Sequence, residues 1–295
     1  MIKAWGFTMA QFKRAWRLQI QVGNIIKTFQ ELDYQDQSLK IEFDIANAVY
    51  GGFASGSISI YNLAQSDMEF LNSSVSPFGN FKRNKVSLEA GYVGEIGVIL
   101  SGNIIAVDCD FTSVDNRITL TVQGGIQNNL LKNSIQTSLK GLVDFKSVCS
   151  ECAKHNDLIL RYDKNIPKRN IQDYSFLGSP YQMIEELKQF FSDLNIFIDE
   201  TGKVLNVLLF EKGEKINEQE LSSNTGLIGK PKPTAQGCSV ISMLNINLKA
   251  GGFVKLKNES LSSLDGVYRI TELKHRGSNF GDLWASELIL FKTKG

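Results

Sequence analysis

Short runs with a strict period of two constrain this chain more than any other feature. Trp16-Arg17-Leu18-Gln19-Ile20-Gln21-Val22 alternates apolar and polar side chains, and Leu39-Lys40-Ile41-Glu42-Phe43-Asp44-Ile45 does the same. Ser57–Tyr61, Val86–Ala90 and Ile118–Val122 repeat the pattern. Successive side chains of a strand point to opposite faces, so each run buries one face and leaves the other wet. Six or more such antiparallel strands predict a small closed barrel across residues 1–125, because closure removes unpaired edges. One short helix interrupts them, where Ser66-Asp67-Met68-Glu69 reads as a capping box with Ser66 at the N-cap.

Leu88–Ile105, "LEAGYVGEIGVILSGNII", carries glycines at 91, 94, 97 and 102. A phosphate-binding loop ends a strand and opens a helix, so that free N–H groups and the helix dipole face the anion. The residues after Gly97 are β-branched and lack an N-cap, which argues against a helix. The glycines are therefore expected to turn hairpins, with one turn at Ser101-Gly102-Asn103.

The period changes after residue 125. Phe145, Val148, Cys149 and Cys152 fall at helical spacing. "SPYQMIEELKQFFSDL" starts a second helix, with Ser179 at the N-cap, Pro180 at N1 and Gln182 at N3. Its apolar stripe is Met183, Ile184, Leu187, Phe190, Phe191 and Leu194. Strands at 158–162, 196–199 and 204–210 complete an α/β insert over 126–222. The remaining residues, 223–295, open on the loop "TGLIGKPKPTAQG" and return to strands. There Phe253–Lys257, Gly266, Val267–His275 and Trp284–Phe291 echo Val86–Ala90, Gly102, Asn103–Asp110 and Arg117–Val122. The expected architecture is mainly β: two antiparallel barrels, 1–125 and 223–295, flank the α/β insert, with 204–210 available to lend the second barrel a strand.

Composition bounds the function. A formal net charge of +1 excludes a strongly basic nucleic-acid binder as the default. Residues 223–295 nevertheless hold 10 basic and 5 acidic side chains, against 10 and 12 in residues 1–125. No apolar run approaches the roughly 20 residues of a membrane span. The N-terminus lacks a signal-peptide core, so a chain starting at Met1 and made in a cytoplasm is expected.

Candidate chemistry is sparse. Cys149, Cys152 and His155 in "CSECAKH" could begin a zinc site or redox pair, with Cys109 and Cys238 the other thiols. Their shared stripe with Phe145 and Val148 makes core packing the better reading. His155 and His275 are the two histidines. "GLIGKPKPT" fails as a phosphate loop because Pro231 follows Lys230. Glu185-Glu186 and Asp108/Asp110 could serve glycoside hydrolysis but read as solvated surface. The expectation is an absence of catalytic, metal and cofactor residues.

Several stretches resemble the hub proteins of bacteriophage tails and baseplates: "IEFDI" (41–45), "GSISIYNL" (56–63), "VSLEAGYVGEIGVILSGNI" (86–104), "TGLIGKPKPTAQGCSVISMLNINLKAGGFVKL" (225–256) and "LDGVYRITELKHRGSNFGDLWASEL" (264–288). They follow the family's order from about residue 16 to 291, and resemble the shorter hubs that stop after a second barrel. The resemblance implies two tube-like barrels per chain and a homotrimeric ring of six, related to the hub part of type VI secretion spikes. It also implies a non-enzymatic virion component at the tail tip, adapting a hexameric tail tube to a threefold spike and capping the DNA channel. Implied partners are a tail tube or distal tube protein above, a separate spike protein below, other baseplate and tape-measure proteins, and DNA in transit. Two rivals from other classes are a tail-associated cell-wall hydrolase and a receptor- or carbohydrate-binding module.

Overall fold

Seven strands in the first part of the chain form one antiparallel run. They are β1 (Arg14–Val22), β2 (Ile25–Glu31), β3 (Ile41–Ala48), β4 (Ser55–Tyr61), β5 (Lys85–Tyr92), β6 (Glu95–Asp110) and β7 (Arg117–Gly124), with helix α1 (Gln65–Asn72) between β4 and β5. Their spatial order is β3-β4-β7-β6-β5-β1-β2. The computed structural model describes residues 13–33, 39–49, 54–72, 84–112, 114–124, 134–199, 203–210, 218–258 and 261–293. The readings made of the N-terminal 12 residues and of the boundary at 125–126 lie outside these.

The glycine stretch behaves differently from expectation. Gly94 makes the one turn there, at φ +89°, while Gly91, Gly97 and Gly102 lie inside strands. No turn forms at 101–103, and β6 runs through as 16 residues. Gly102 is needed because β7 passes so close that a Cβ there would overlap the Gln123 carbonyl. The first half of β6 pairs with β5 and the second half with β7, with a bulge after Ile104. That bend folds β5, β1 and β2 over the other strands. The capping box at Ser66 does not form either. The helix starts at Gln65, and the Ala64 carbonyl accepts from Asp67 and Met68. Asp67 pairs with Lys27 at 2.5 Å and Glu69 accepts from Gln65 at 3.1 Å, so both acids are held away from capping roles. The β1–β2 hairpin escaped the sequence reading because Ile25 and Ile26 are exposed and break the alternation.

The central part contains β8 (Ile135–Asp144), α2 (Phe145–His155), β9 (Ile159–Tyr162), β10 (Asn170–Gly178), α3 (Pro180–Phe190), β11 (Leu194–Asp199) and β12 (Val204–Leu209). Asp144 caps α2, and Ser179 with Gln182 makes the expected capping box on α3. Met183, Ile184 and Leu187 are buried, but α3 stops at Phe190, which is 37% exposed. Phe191 closes the helix and Leu194 opens β11, so the apolar stripe is shorter than expected. The β8–β10 ribbon was not read from the sequence; its outer side carries Gln136, Ser138, Lys140 and Ser175 together with the exposed Leu142 and Leu177, and its inner side packs Tyr174 and Phe176 beneath the helices.

The last part adds β13 (Gln219–Leu221), β14 (Leu227–Pro233), β15 (Gly237–Met243), β16 (Phe253–Leu256), β17 (Gly266–Ser278) and β18 (Trp284–Lys292). The expected loop over "GLIGKPKP" is therefore largely strand β14. Its neighbours run β14-β15-β18-β17, with β16 on β17 and β13 on β16. This reproduces β3-β4-β7-β6-β5 strand for strand. The equivalence is marked by matching bulges, Ile104/Ala106 against β7 and Ile270/Glu272 against β18, and not by glycines. Gly266 opens β17, whereas Gly102 sits inside β6.

Among the described residues the pairing joins the two repeats and closes neither on itself. β17 pairs with β3 from Glu272↔Ala48 to Ser278↔Glu42, joining both into one 13-stranded sheet. Trp284 from the second repeat enters the first repeat's core, edge-on to Phe43 at 5.1 Å, with its indole N–H donating to Gly91 O at 3.0 Å.

Gly102→Ala should cost about 2 kcal/mol or more, because neither backbone can retreat without breaking the ladder. Ser101→Ala, on an exposed neighbour, should stay within about 0.5 kcal/mol. Urea denaturation of the two variants measures the difference.

Candidate functional surface

The face of the large sheet turned away from its core is built from small polar side chains. Asp44, Ser57 and Thr121 lie in one cross-strand row, and Glu42, Ser59, Thr119 and Asp108 in the next. Ser59 and Thr119 share a hydrogen bond at 2.9 Å. Its charges are largely matched across strands: Arg17–Glu89 at 3.0 Å, Arg117–Asp110 at 3.3 Å, and Arg276 with both Asp44 and Glu287 at 3.2 Å. Such pairs add little stability individually, but they cancel the local field. The surface is therefore wet and weakly charged.

Toward β14 the character changes. A groove of about 730 Å³ runs over β14, β15, β18, β17 and β3, lined by Ile228, Ile241 and Ile289 with the charged Lys230, Lys232, Lys274, Glu272 and Glu287. At one end of the sheet, the β6–β7 turn exposes Phe111 and Val114, and the equivalent β17–β18 turn exposes Phe280 and Leu283.

The chemical candidates do not converge. Cys149 and Cys152 are fully buried beside Phe145 and Val148. Burial pushes both thiols up, Cys152 to about 12. His155 contacts Thr137 at 3.3 Å and Glu151 at 4.0 Å. Cys109 lies half-buried in β6 and Cys238 is buried in β15. Glu185 pairs with Lys188 at 2.6 Å, and Asp110 accepts from Thr112 and Arg117. Lys230 is an exposed residue of β14. Among the described residues no group of three or more His, Cys, Asp or Glu could hold a metal ion. His275 is buried in β17 and bonded to Ser286 at 2.9 Å. Burial, and then the charge of Lys249, lowers its pKa to about 4.

Sequence reasoning missed the features that single out this surface, namely the β17–β3 junction and the exposed β14 strand. The alternation in Glu42–Ile45 and in Glu272–His275 shows two half-buried strands but carries no record of which strands pair.

The family described as "Baseplate hub gp41" matches residues 19–282. No curated protein sequence matches the chain. Solved structures of tail and type VI secretion proteins share the fold at low identity. The 43 kDa tail protein of prophage MuSo2 from Shewanella oneidensis has a TM-score of 0.59 at 9% identity, covering 94% of this chain and 98% of that one. A tail protein from Neisseria meningitidis MC58 has a TM-score of 0.57 at 11% identity, over 94% and 96%. An E. coli component of the type VI secretion system, described as structurally similar to T4 bacteriophage tail proteins gp27 and gp5, has a TM-score of 0.55 at 9% identity, over 90% and 76%.

Two outcomes follow from the buried groups. Changing Cys149 and Cys152 together to Ala should leave the fold intact at a cost of about 1–3 kcal/mol, and zinc analysis should find no stoichiometric metal lost with them. For His275, the unfolded chain takes up a proton near pH 6.5 but the folded chain only near pH 4. Its contribution is thus complete above about pH 6.5 and is lost as pH falls toward 4, by up to about 3 kcal/mol. The difference in urea midpoint between pH 7 and pH 4.5 should shrink in His275→Asn.

Proposed function

We propose that this chain, which belongs to the baseplate hub gp41 family, works as a trimeric ring that adapts a sixfold tail tube to a threefold spike. A structural role in the phage tail and baseplate follows from the family and from the shared fold of tail proteins. The single observation that carries the finer reading is the duplicated strand order within one sheet. Each chain holds β3-β4-β7-β6-β5 and β14-β15-β18-β17-β16 side by side. Three chains then supply six similar units, and a closed ring lets sixfold and threefold partners meet on one body.

In this reading the polar face of the sheet lines the channel, and the division at about 125 and 222 separates two tube-like units from an outer α/β insert. A lining with paired charges gives DNA few free cations to hold it, since retention of a polyanion scales with the phosphates neutralised. The turns bearing Phe111 and Phe280 are equivalent in the repeat and emerge from the same end of the sheet. Six of them per ring would present a sixfold set of apolar contacts to the tube above, with a separate spike protein below and tape-measure and other baseplate proteins alongside. The place of action is the virion.

The mass of the purified protein should be that of three chains, and electron cryo-microscopy of the particle should show three copies about the tail axis. Six copies per ring would refute the reading. Phe111→Asp combined with Phe280→Asp should leave the trimer intact and reduce its attachment to tube by at least about tenfold, the scale of losing buried aromatic anchors.

A further inference from the structure

The pairing of β17 with β3 inside the chain implies a second seam between chains. In a ring whose two repeats alternate, every junction from second repeat to first is followed by one from first repeat to second. The first kind is intramolecular. Aligning the bulges Ile104/Ala106 and Ile270/Glu272 superposes β6 on β17, and the pairings of β4 and β15 superpose β3 on β14. The counterpart of β17–β3 is therefore β6 against β14.

Among the described strands, both edges end their ladders. Among the described strands β6 pairs with β5 only through Asn103, and from Ile105 to Asp110 its second side has no partner strand. Leu273 and His275, covered by β3, are buried, whereas their counterparts Val107 and Cys109 are only half-buried. β14 ends the sheet, with Gly229, Lys230 and Lys232 exposed.

The chemistry of the two edges is complementary. Arg276 lies opposite Asp44 in the intramolecular junction and bonds it at 3.2 Å. Their counterparts are Asp110 on β6 and Lys232 on β14, again opposite charges, with the signs exchanged. Asp108 and Lys230 reinforce the pattern.

Backbone donors add selectivity. The Thr234 N–H donates to Gly237, so residues 231 and 233 turn their backbone to the open side. Both are proline and offer carbonyls without N–H groups. Two β14 edges cannot zip together, because neither supplies donors at these positions. A strand with outward N–H groups can. Val49 donating to Thr271 and Asn279 donating to Ile41 set the phase of the β17–β3 ladder, so His275 exchanges hydrogen bonds with Ile45. The equivalent pair is Cys109 and Pro233.

We propose that the partner of the β14 edge is the Ile105–Asp110 edge of a second copy of this chain, paired antiparallel with Asp110 opposite Lys232. The seam rests on the alternating-ring reading but makes its own claim about which residues meet. Directly opposed residues of an antiparallel pair lie about 4.5–5.5 Å apart at Cα, within reach of a disulfide. In a full-length Cys109→Ser background, Asp110→Cys with Lys232→Cys should oxidise to a covalent trimer closed by three links, seen by non-reducing mass analysis. Links that form but do not close at three would uphold the seam and overturn the three-chain ring. A trimer without links would uphold the ring and overturn the seam. Neither trimer nor links would overturn both. The exposed double reversal Lys230→Asp with Lys232→Asp guards against a misfolded cysteine variant. It should weaken assembly at least about tenfold, and Asp108→Lys with Asp110→Lys in the same chain should restore it. Unchanged assembly in the first reversal, or no restoration by the second, would overturn the seam.

Discussion

Everything distinctive about this molecule depends on the seven residue pairs between β17 and β3. Without them the chain would be two small β units with separate cores and two more open edges. With them the units share one sheet, and their relation is set by backbone hydrogen bonds instead of by a pliable linker. A ladder of this kind has a strict register, since a slip of one residue would turn every buried side chain outward. Trp284 reinforces it from the side: its ring packs on Phe43 of the other repeat and its N–H reaches Gly91 O. The position of each repeat is thereby specified twice, once through the backbone and once through a side chain.

The α/β insert is stabilised on its own terms. Its core gathers Phe145, Val148, Cys149 and Cys152 from α2 with Met183, Ile184 and Leu187 from α3 over the β11–β12–β9 sheet. The cysteines there act as small apolar residues, and their raised pKa values are a consequence of that burial. A chemically suggestive spacing has a packing explanation in full. The second repeat meets the insert through Arg269, which is buried, bonds the Leu209 carbonyl at 2.8 Å and lies 4.8 Å over Phe253. A guanidinium at this junction combines a hydrogen bond and ring contacts in one side chain.

Duplication with divergence explains why the two repeats look unlike in sequence. Strand order and the bulge shared by β6 and β17 agree, while equivalent strands differ in length and the charges at equivalent edge positions are reversed, Arg276 against Asp110 and Asp44 against Lys232. In the proposed ring, reversed charges and an edge of proline carbonyls would distinguish the inner junction from the outer one.

The sequence by itself determined the strand-forming runs, the two long helices, the second with its cap at Ser179, and the existence of a repeat. These are local matters of side-chain period and capping chemistry, legible within a window of about ten residues. It also carried the resemblance that pointed to a tail hub. The tertiary structure alone decided that Gly102 passes through a strand instead of turning it, that "GLIGKPKP" is an edge strand, and that the repeats fuse into one sheet. Each of those depends on which other backbone lies alongside: Gln123 behind Gly102, Ser239 beside Lys232, Asp44 beside Arg276. Alternation records that a strand has a wet face and a dry face. It does not record the neighbour, which for β17 is β3, far away in the sequence.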